Sequence, residues 1–371
     1  MWMIGIGAIG GSAAPFSTPL TSSDQSDAVD PAIVAMCNEI DEAAIYQVTY
    51  DLQNFTTRKY PSTGNTRAAT YIHDRLDAIP GLEVAYTEGE YRNIVATLPG
   101  KDTTADELVI VGAHYDSISR TPGIAPGATD NGCGVAIVLE LARIMSARSY
   151  DRTVQFACWN AEETGLYGSE AYARAASNAG REIALYYNYD SGYYDPYDGY
   201  LLDIMSDTRS RTFSNRMTQL NSLYDLDFDL VYNTIYEEES DHRPFWDYEY
   251  PAVWTYCDLE APEYHTKDDT VELVSLGYAK KSAKMGLALL AETARIRSVT
   301  VVPIGSATPR DLDGDGKYED VNGNGRRDFA DVTIYFSQMT WIGANEPLAA
   351  FDYNGNGRID FADVTWLFNH L

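Results

Sequence analysis

Between His114 and Asp190 the chain spaces His114, Asp116, Asp130, the pair Glu162 and Glu163, and Asp190 at intervals suited to the ends of successive structural elements. The chain has only five histidines, so the settings of His114 and His265 are informative. His114 ends an apolar run with Asp116 two residues on, and His265 lies in an acidic, Thr-rich segment. A histidine alone at either place is more often structural than a ligand. The constellation carries the case. Imidazole nitrogen combined with carboxylate oxygen suits zinc, with cobalt or manganese as weaker substitutes. Two such ions about 3.5 to 4 Å apart call for a bridging carboxylate. Asp130, in a glycine-flanked turn that opens a helix, is the expected bridge. His114 and Asp190 then serve one ion, and Glu163 and His265 the other. Glu162 adjoins a ligand but points elsewhere, so it is the expected general base, moving a proton from the attacking water to the leaving amine. Asp116 is expected to accept the far N–H of His114 and fix its tautomer. Tyr264 is either a donor to the oxyanion of a tetrahedral intermediate or packing beside a ligand.

The elements that must position these groups alternate. Leu108 to Ala113 and Thr153 to Trp159 are short, nearly all-apolar runs of the kind that form strands covered on both faces. The spacing predicts helices over Asn131 to Ala147, capped by Asp130 or Asn131, and over Tyr167 to Asn178, then a strand from Ile183 to Tyr189. The pattern predicts an α/β fold with a mostly parallel sheet flanked by helices, in which ligands collect at the carboxyl ends of strands. Upstream, one helix is expected over Pro31 to Asn54, with Asp30 as its cap, and another over Thr63 to Leu76. Strands are expected at Leu82 to Tyr86 and Asn93 to Leu98. Downstream, helices are expected over Arg209 to Leu223 and Val271 to Ile296, with a strand at Pro251 to Cys257. The Tyr- and Asp-rich segment Tyr186 to Tyr200 reads equally as a cleft wall or a surface loop.

At 371 residues and 45% hydrophobic, the chain accommodates one large catalytic domain and a small appendage. Its net charge of -28 excludes the basic footprint that nucleic acid or an anionic membrane requires. Cys37, Cys133, Cys158 and Cys257 form no Cys-x-x-Cys pair; up to two disulfides or simple burial are open to them. Met1 to Ala14 is apolar and Gly-rich without a positive start, and reads as a degenerate signal peptide at the head of a leader over residues 1–30. No run is long enough to insert across a membrane. A linker is expected over residues 299–310.

Beyond it, one unit occurs twice, Asp320 to Asp331 and Asp352 to Asp363, each followed by an apolar helical run. Oxygen side chains fall at positions 1, 3, 5, 9 and 12 with Gly at 6, the arrangement of a calcium loop. The candidate ligands are Asp320, Asn322, Asn324, Asp328 and Asp331, and Asp352, Asn354, Asn356, Asp360 and Asp363. Asp at position 12, where ordinary EF-hands have Glu, is a departure. The preceding run, Asp311-Leu-Asp-Gly-Asp-Gly, has the start of a further loop but no proper position 12.

Two resemblances follow. The motifs Gly112-Ala-His-Tyr-Asp-Ser, Ala128-Thr-Asp-Asn-Gly-Cys-Gly-Val-Ala, Asn160-Ala-Glu-Glu-Thr-Gly-Leu-Tyr-Gly-Ser, Asn188-Tyr-Asp, Ser240-Asp-His-Arg-Pro-Phe and Tyr264-His-Thr-Lys-Asp-Asp-Thr resemble, in order, those of the M28 family of dinuclear zinc peptidases. The resemblance spans residues 31–297 and implies His114, Asp130, Glu163, Asp190 and His265 as zinc ligands and Glu162 as base. His242 matches a family position that is not a ligand, which implies support of the pocket. Most members that look like this are aminopeptidases; other branches remove C-terminal residues or cyclise glutamine. The paired repeat resembles a dockerin, a calcium-dependent module that docks onto a cohesin-type domain, over residues 311–371. Together they imply a secreted aminopeptidase acting on peptide substrates, with two zinc ions, calcium and a cohesin-type partner. A carboxypeptidase of the same fold and a non-catalytic docking adaptor are the alternatives.

Overall fold

The computed structural model describes residues 28–233, 239–257, 259, 261–297, 303–304 and 307–371. The signal-like Met1 to Ala14, most of the leader and part of the expected linker lie outside the described residues. Asp30 caps α1 (Pro31–Asn38), its carboxylate accepting from the Ala32 amide. The chain then restarts, because Asp41 accepts from Ala43 and caps a separate α2 (Glu42–Gln53). The single helix expected over residues 31–54 is therefore two. Ser62 caps α3 (Thr63–Asp77) in the same way.

The elements that follow are β1 (Glu83–Tyr86), β2 (Ile94–Leu98), β3 (Leu108–His114), α4 (Cys133–Ser146), β4 (Thr153–Trp159), α5 (Tyr167–Asn178) and β5 (Ile183–Tyr189). Next come β6 (Leu201–Ser206), α6 (Arg211–Leu223), β7 (Asp229–Asn233), α7 (His242–Asp247), β8 (Ala252–Tyr256) and α8 (Leu276–Thr293). The strands make one sheet in the order β1-β2-β4-β3-β5-β8-β6-β7. Its centre, β4-β3-β5-β8, is parallel throughout, while β1-β2, β2-β4 and β8-β6 pair antiparallel. The sheet is thus mixed, with its parallel part where the site lies.

Alternation along the central strands feeds two apolar layers. Val109, Val111 and Ala113 of β3 join one with Val154, Phe156 and Cys158 of β4, under α1, α2, α4 and α8. Ile110, Ala157 and Trp159 join the other, under α5 and α7. Full burial on both faces explains why these strands read as continuous hydrophobic runs.

Three local expectations are corrected. Helix α4 starts after Gly132 with no side-chain cap, because Asp130 and Asn131 have non-helical backbones and belong to the turn before it. The closing helix starts at Leu276, since Val271–Leu273 forms a separate short turn. β6, β7 and α7 have no counterpart among the expected elements. All four cysteines are free and buried. Of the tyrosine-rich segment, Tyr186, Tyr187, Tyr189 and Tyr193 are core, whereas Tyr197 is 82% exposed. Among the described residues no helix is long and apolar enough to cross a membrane.

The C-terminal residues build α9 (Phe329–Asn345), α10 (Leu348–Phe351) and α11 (Phe361–Asn369) around their own apolar cluster, including Ile304, Val321, Tyr335, Ile342, Phe351 and Leu367.

Candidate metal centre

Four parallel strands deliver the site from one end of the sheet. His114 is the last residue of β3, Glu162 and Glu163 follow β4, and Asp190 follows β5. His265 comes from the loop after β8, and Asp130 from the turn between β3 and α4. The turns that aim these groups pass through left-handed backbone at Ala161, Ser191 and His265 itself (φ 59°, 49° and 55°). Such conformations cluster at functional sites, where the surrounding structure holds them in place.

The ligand-type atoms converge on two points. His114 Nε2 lies 3.0 Å from Asp190 Oδ1 and 3.2 Å from Asp130 Oδ1. His265 Nε2 lies 2.9 Å from the other Asp130 oxygen, Oδ2, and 3.2 Å from Glu163 Oε2. Asp130 therefore faces both imidazoles, one with each oxygen. Glu162 Oε2 approaches the cluster at 3.9 Å from His114 Nε2. All the residues expected to act together are brought together.

The polar surroundings identify what holds them. Asp130 is aimed by Asp269, whose carboxylate accepts from the Thr129 amide and hydroxyl and from the Asp130 amide. Asn131 donates to the Tyr189 carbonyl, tying this turn to the end of β5. The buried Arg58 guanidinium donates to the Tyr115, Pro126 and Gly127 carbonyls and so fixes the backbone that leads into the turn. Ser240 hydrogen-bonds Asp190 Oδ2 and accepts from Asn188. His242 is wholly buried against Trp246 and Trp254 and reaches no candidate ligand.

Asp116 has a second set of partners besides His114. The far nitrogen of His114 is closer to the Asp116 backbone carbonyl, at 3.3 Å, than to its carboxylate, at 3.6 Å. That carboxylate also accepts from the amides of Glu162 and Glu163, orienting the acidic pair. Tyr264 stacks on His265 with ring centroids 3.9 Å apart. Arg58, Ser240 and Asp269 were missed as site residues because each acts through a contact distant in sequence. Only Asp269 and Ser240 left a trace, as members of the quoted motifs.

The electrostatics test whether divalent metal fits. Burial, then the charge of Asp130, pushes Glu163 up to about 8. Burial also drives Glu162 well above the carboxylate range; Asp190, Glu163 and Asp241 add to it against the pull of His114. The histidines move oppositely to what burial alone would do. Asp190, Glu162 and hydrogen bonds to Asp116 and Asp130 raise His114, and Asp130 and Glu163 raise His265 to about 10. This is a pocket of concentrated negative potential. Asp130 Oδ2 and His265 Nε2, both buried, face one another at 2.9 Å. Nitrogen and oxygen donors so arranged fit zinc, and His114, Asp130, Glu163, Asp190 and His265 would hold it.

The two C-terminal repeats fold as matched loops. Asp320 accepts from the Asn324 and Gly325 amides, and Asp352 from Asn356 and Gly357. Asp328 and Asp360 cap α9 and α11, each forming a reciprocal capping box with Asp331 or Asp363. The oxygen-only donor sets suit calcium.

Comparison with known proteins agrees with these features. Residues 93–290 match peptidase family M28, and residues 318–371 match the dockerin type I domain. Leucine aminopeptidase 1 of Paracoccidioides brasiliensis (strain Pb03) is 26% identical over 306 residues, which cover 75% of this chain and 78% of that protein. Leucine aminopeptidase 1 of Uncinocarpus reesii is 30% identical over 65% of this chain and 67% of its own. The fold is shared with the LapA aminopeptidase of Legionella pneumophila, with a TM-score of 0.64 at 23% identity over 71% of this chain and 74% of that one.

Proposed function

Since the chain belongs to peptidase family M28 and carries a dockerin type I domain, we propose that it is a secreted aminopeptidase with two zinc ions, anchored through calcium-dependent docking to a cohesin-type partner. The observation that carries this reading is the division of Asp130, whose two oxygens face His114 and His265 at 3.2 and 2.9 Å. A carboxylate so divided suits a bridge between two ions, His114 and Asp190 completing one set and His265 and Glu163 the other.

Zinc held by these residues would supply Lewis-acid polarisation of the scissile carbonyl and a water of lowered pKa. The chain's own groups do the rest. Glu162 takes the proton of that water and returns it to the leaving amine, a role suited to a carboxylate held above its ordinary range by burial. Asp116 keeps Glu162 and Glu163 in their separate directions through the two amides. Tyr264 keeps its phenolic proton, since burial and then the nearby carboxylates raise it far above the ordinary tyrosine value, and it donates to the oxyanion. The acidic pocket favours a substrate with a free ammonium group. The names of the relatives make leucine the first N-terminal residue to try.

The test is product release from unblocked and N-acetylated peptides, with and without a zinc chelator. Chelator-sensitive cleavage of unblocked peptides alone is expected. Release of C-terminal residues from acetylated peptides would move the assignment to a carboxypeptidase, and silence on both would leave a docking adaptor.

A further inference from the structure

The acidic run ahead of the two repeats lacks a position 12, yet the fold closes it into a loop of its own. Arg310 and Asp320 exchange backbone hydrogen bonds at its neck, so residues 311–319 form a closed turn immediately before the first repeat. Inside it Asp311 accepts from the Gly314 and Gly316 amides, and Asp315 accepts from Lys317. The Gly316 to Asp311 bond has counterparts in Gly325 to Asp320 and Gly357 to Asp352.

Glu319, at position 9 when Asp311 is position 1, distinguishes this loop from a merely acidic surface turn. Its side chain is 1% exposed, and neither carboxylate oxygen has a hydrogen-bond partner. The Arg327 guanidinium stands 3.9 Å away, beyond hydrogen-bonding distance. One oxygen each from Asp311, Asp313, Asp315 and Glu319 lies within 4.8 Å of all the others. A buried carboxylate without hydrogen bonds, facing three more carboxylates, is strongly unfavourable unless a cation joins them. Lys317 is the one cation in the loop's sequence, and its ammonium donates to the Asp352 carbonyl.

We propose that Asp311, Asp313, Asp315 and Glu319 bind a third calcium ion, beside the two ions expected in the repeat loops. Four carboxylates make a hard, all-oxygen set, which selects calcium over zinc. Glu319 substitutes for the missing position 12 by supplying its carboxylate from position 9. The site joins the module's two halves, since the loop neck abuts the first repeat and Lys317 reaches the start of the second. The inference stands independently of the peptidase reading.

The experiment is a count of bound calcium by native mass spectrometry on the full, zinc-loaded chain titrated with calcium. The double variant Asp313→Asn/Asp315→Asn alters only exposed side chains, and it is expected to bind one calcium fewer than the parent. Asp352→Asn is expected to lose a different ion, so the triple variant loses two. Glu319→Gln supplies a second readout. It should melt higher than the parent in calcium-free buffer, where the buried charge is removed, and its melting temperature should rise less on adding calcium. A purely structural Glu319 would not reverse the order of stability with calcium. If Asp313→Asn/Asp315→Asn keeps the parental count while Asp352→Asn loses one ion, the third site does not exist.

Discussion

At the scale of single residues, the adjacent carboxylates Glu162 and Glu163 share a backbone and differ in their contacts. Glu163 Oε2 approaches His265 and its Oε1 accepts from the Ile118 amide, whereas Glu162 is offset toward the His114 side at 3.9 Å. Glu162→Gln keeps the shape and removes the proposed base, so kcat should fall roughly 10²- to 10⁴-fold with zinc content unchanged. Steady-state kinetics alongside elemental analysis would check this, and a near-parental rate would reassign the base. Ser240 tests the support around a ligand. Its hydroxyl holds the outer oxygen of Asp190, so Ser240→Ala should weaken metal affinity roughly 10- to 100-fold with little change in melting temperature of the zinc-loaded protein. Competition with a graded chelator measures that affinity.

At the scale of elements, the site depends on how closely the loop after β4 packs against α5. A Cβ on Gly168 would meet the Asn160 carbonyl at 2.2 Å and the Asn93 side chain at 2.3 Å. Asn160 in turn is held by Asn93, Asn65 and the Tyr91 carbonyl. Gly168→Ala should therefore destabilise the fold by roughly 1 to 3 kcal/mol and disturb Glu162, seen as a lower urea midpoint together with reduced kcat. Much of this level was legible in the sequence. β3, β4 and β5 read correctly because burial on both faces makes them mostly apolar runs, and His114, Glu162, Glu163 and Asp190 are found at their ends. The break between α1 and α2 did not read, since apolar spacing continues across it and the Asp41 cap resembles an ordinary surface residue. Arg58 did not read either. Its role consists of carbonyl contacts up to 69 positions away, which leave no local pattern.

At the scale of the whole molecule, two modules with different metal chemistry share one acidic chain. The peptidase site mixes imidazole and carboxylate in a buried cluster, whereas the C-terminal loops offer only oxygen. That division would let zinc and calcium sort by donor type in one protein. The repeat was legible as a repeat, but the role of Glu319 needed the fold, because its burial comes from packing that position 9 of a loop does not predict. The central claim is that Asp130 joins two metal sites into one catalytic centre. Its most direct test is the number of zinc ions per chain, measured by elemental analysis of the full protein, against the rate on an unblocked leucyl peptide during stepwise zinc addition to chelated protein. Two zinc ions per chain at full activity, with Asp130→Asn losing both zinc occupancy and rate, is the predicted result. Full activity with no more than one zinc per chain, unaffected by Asp130→Asn, would contradict it.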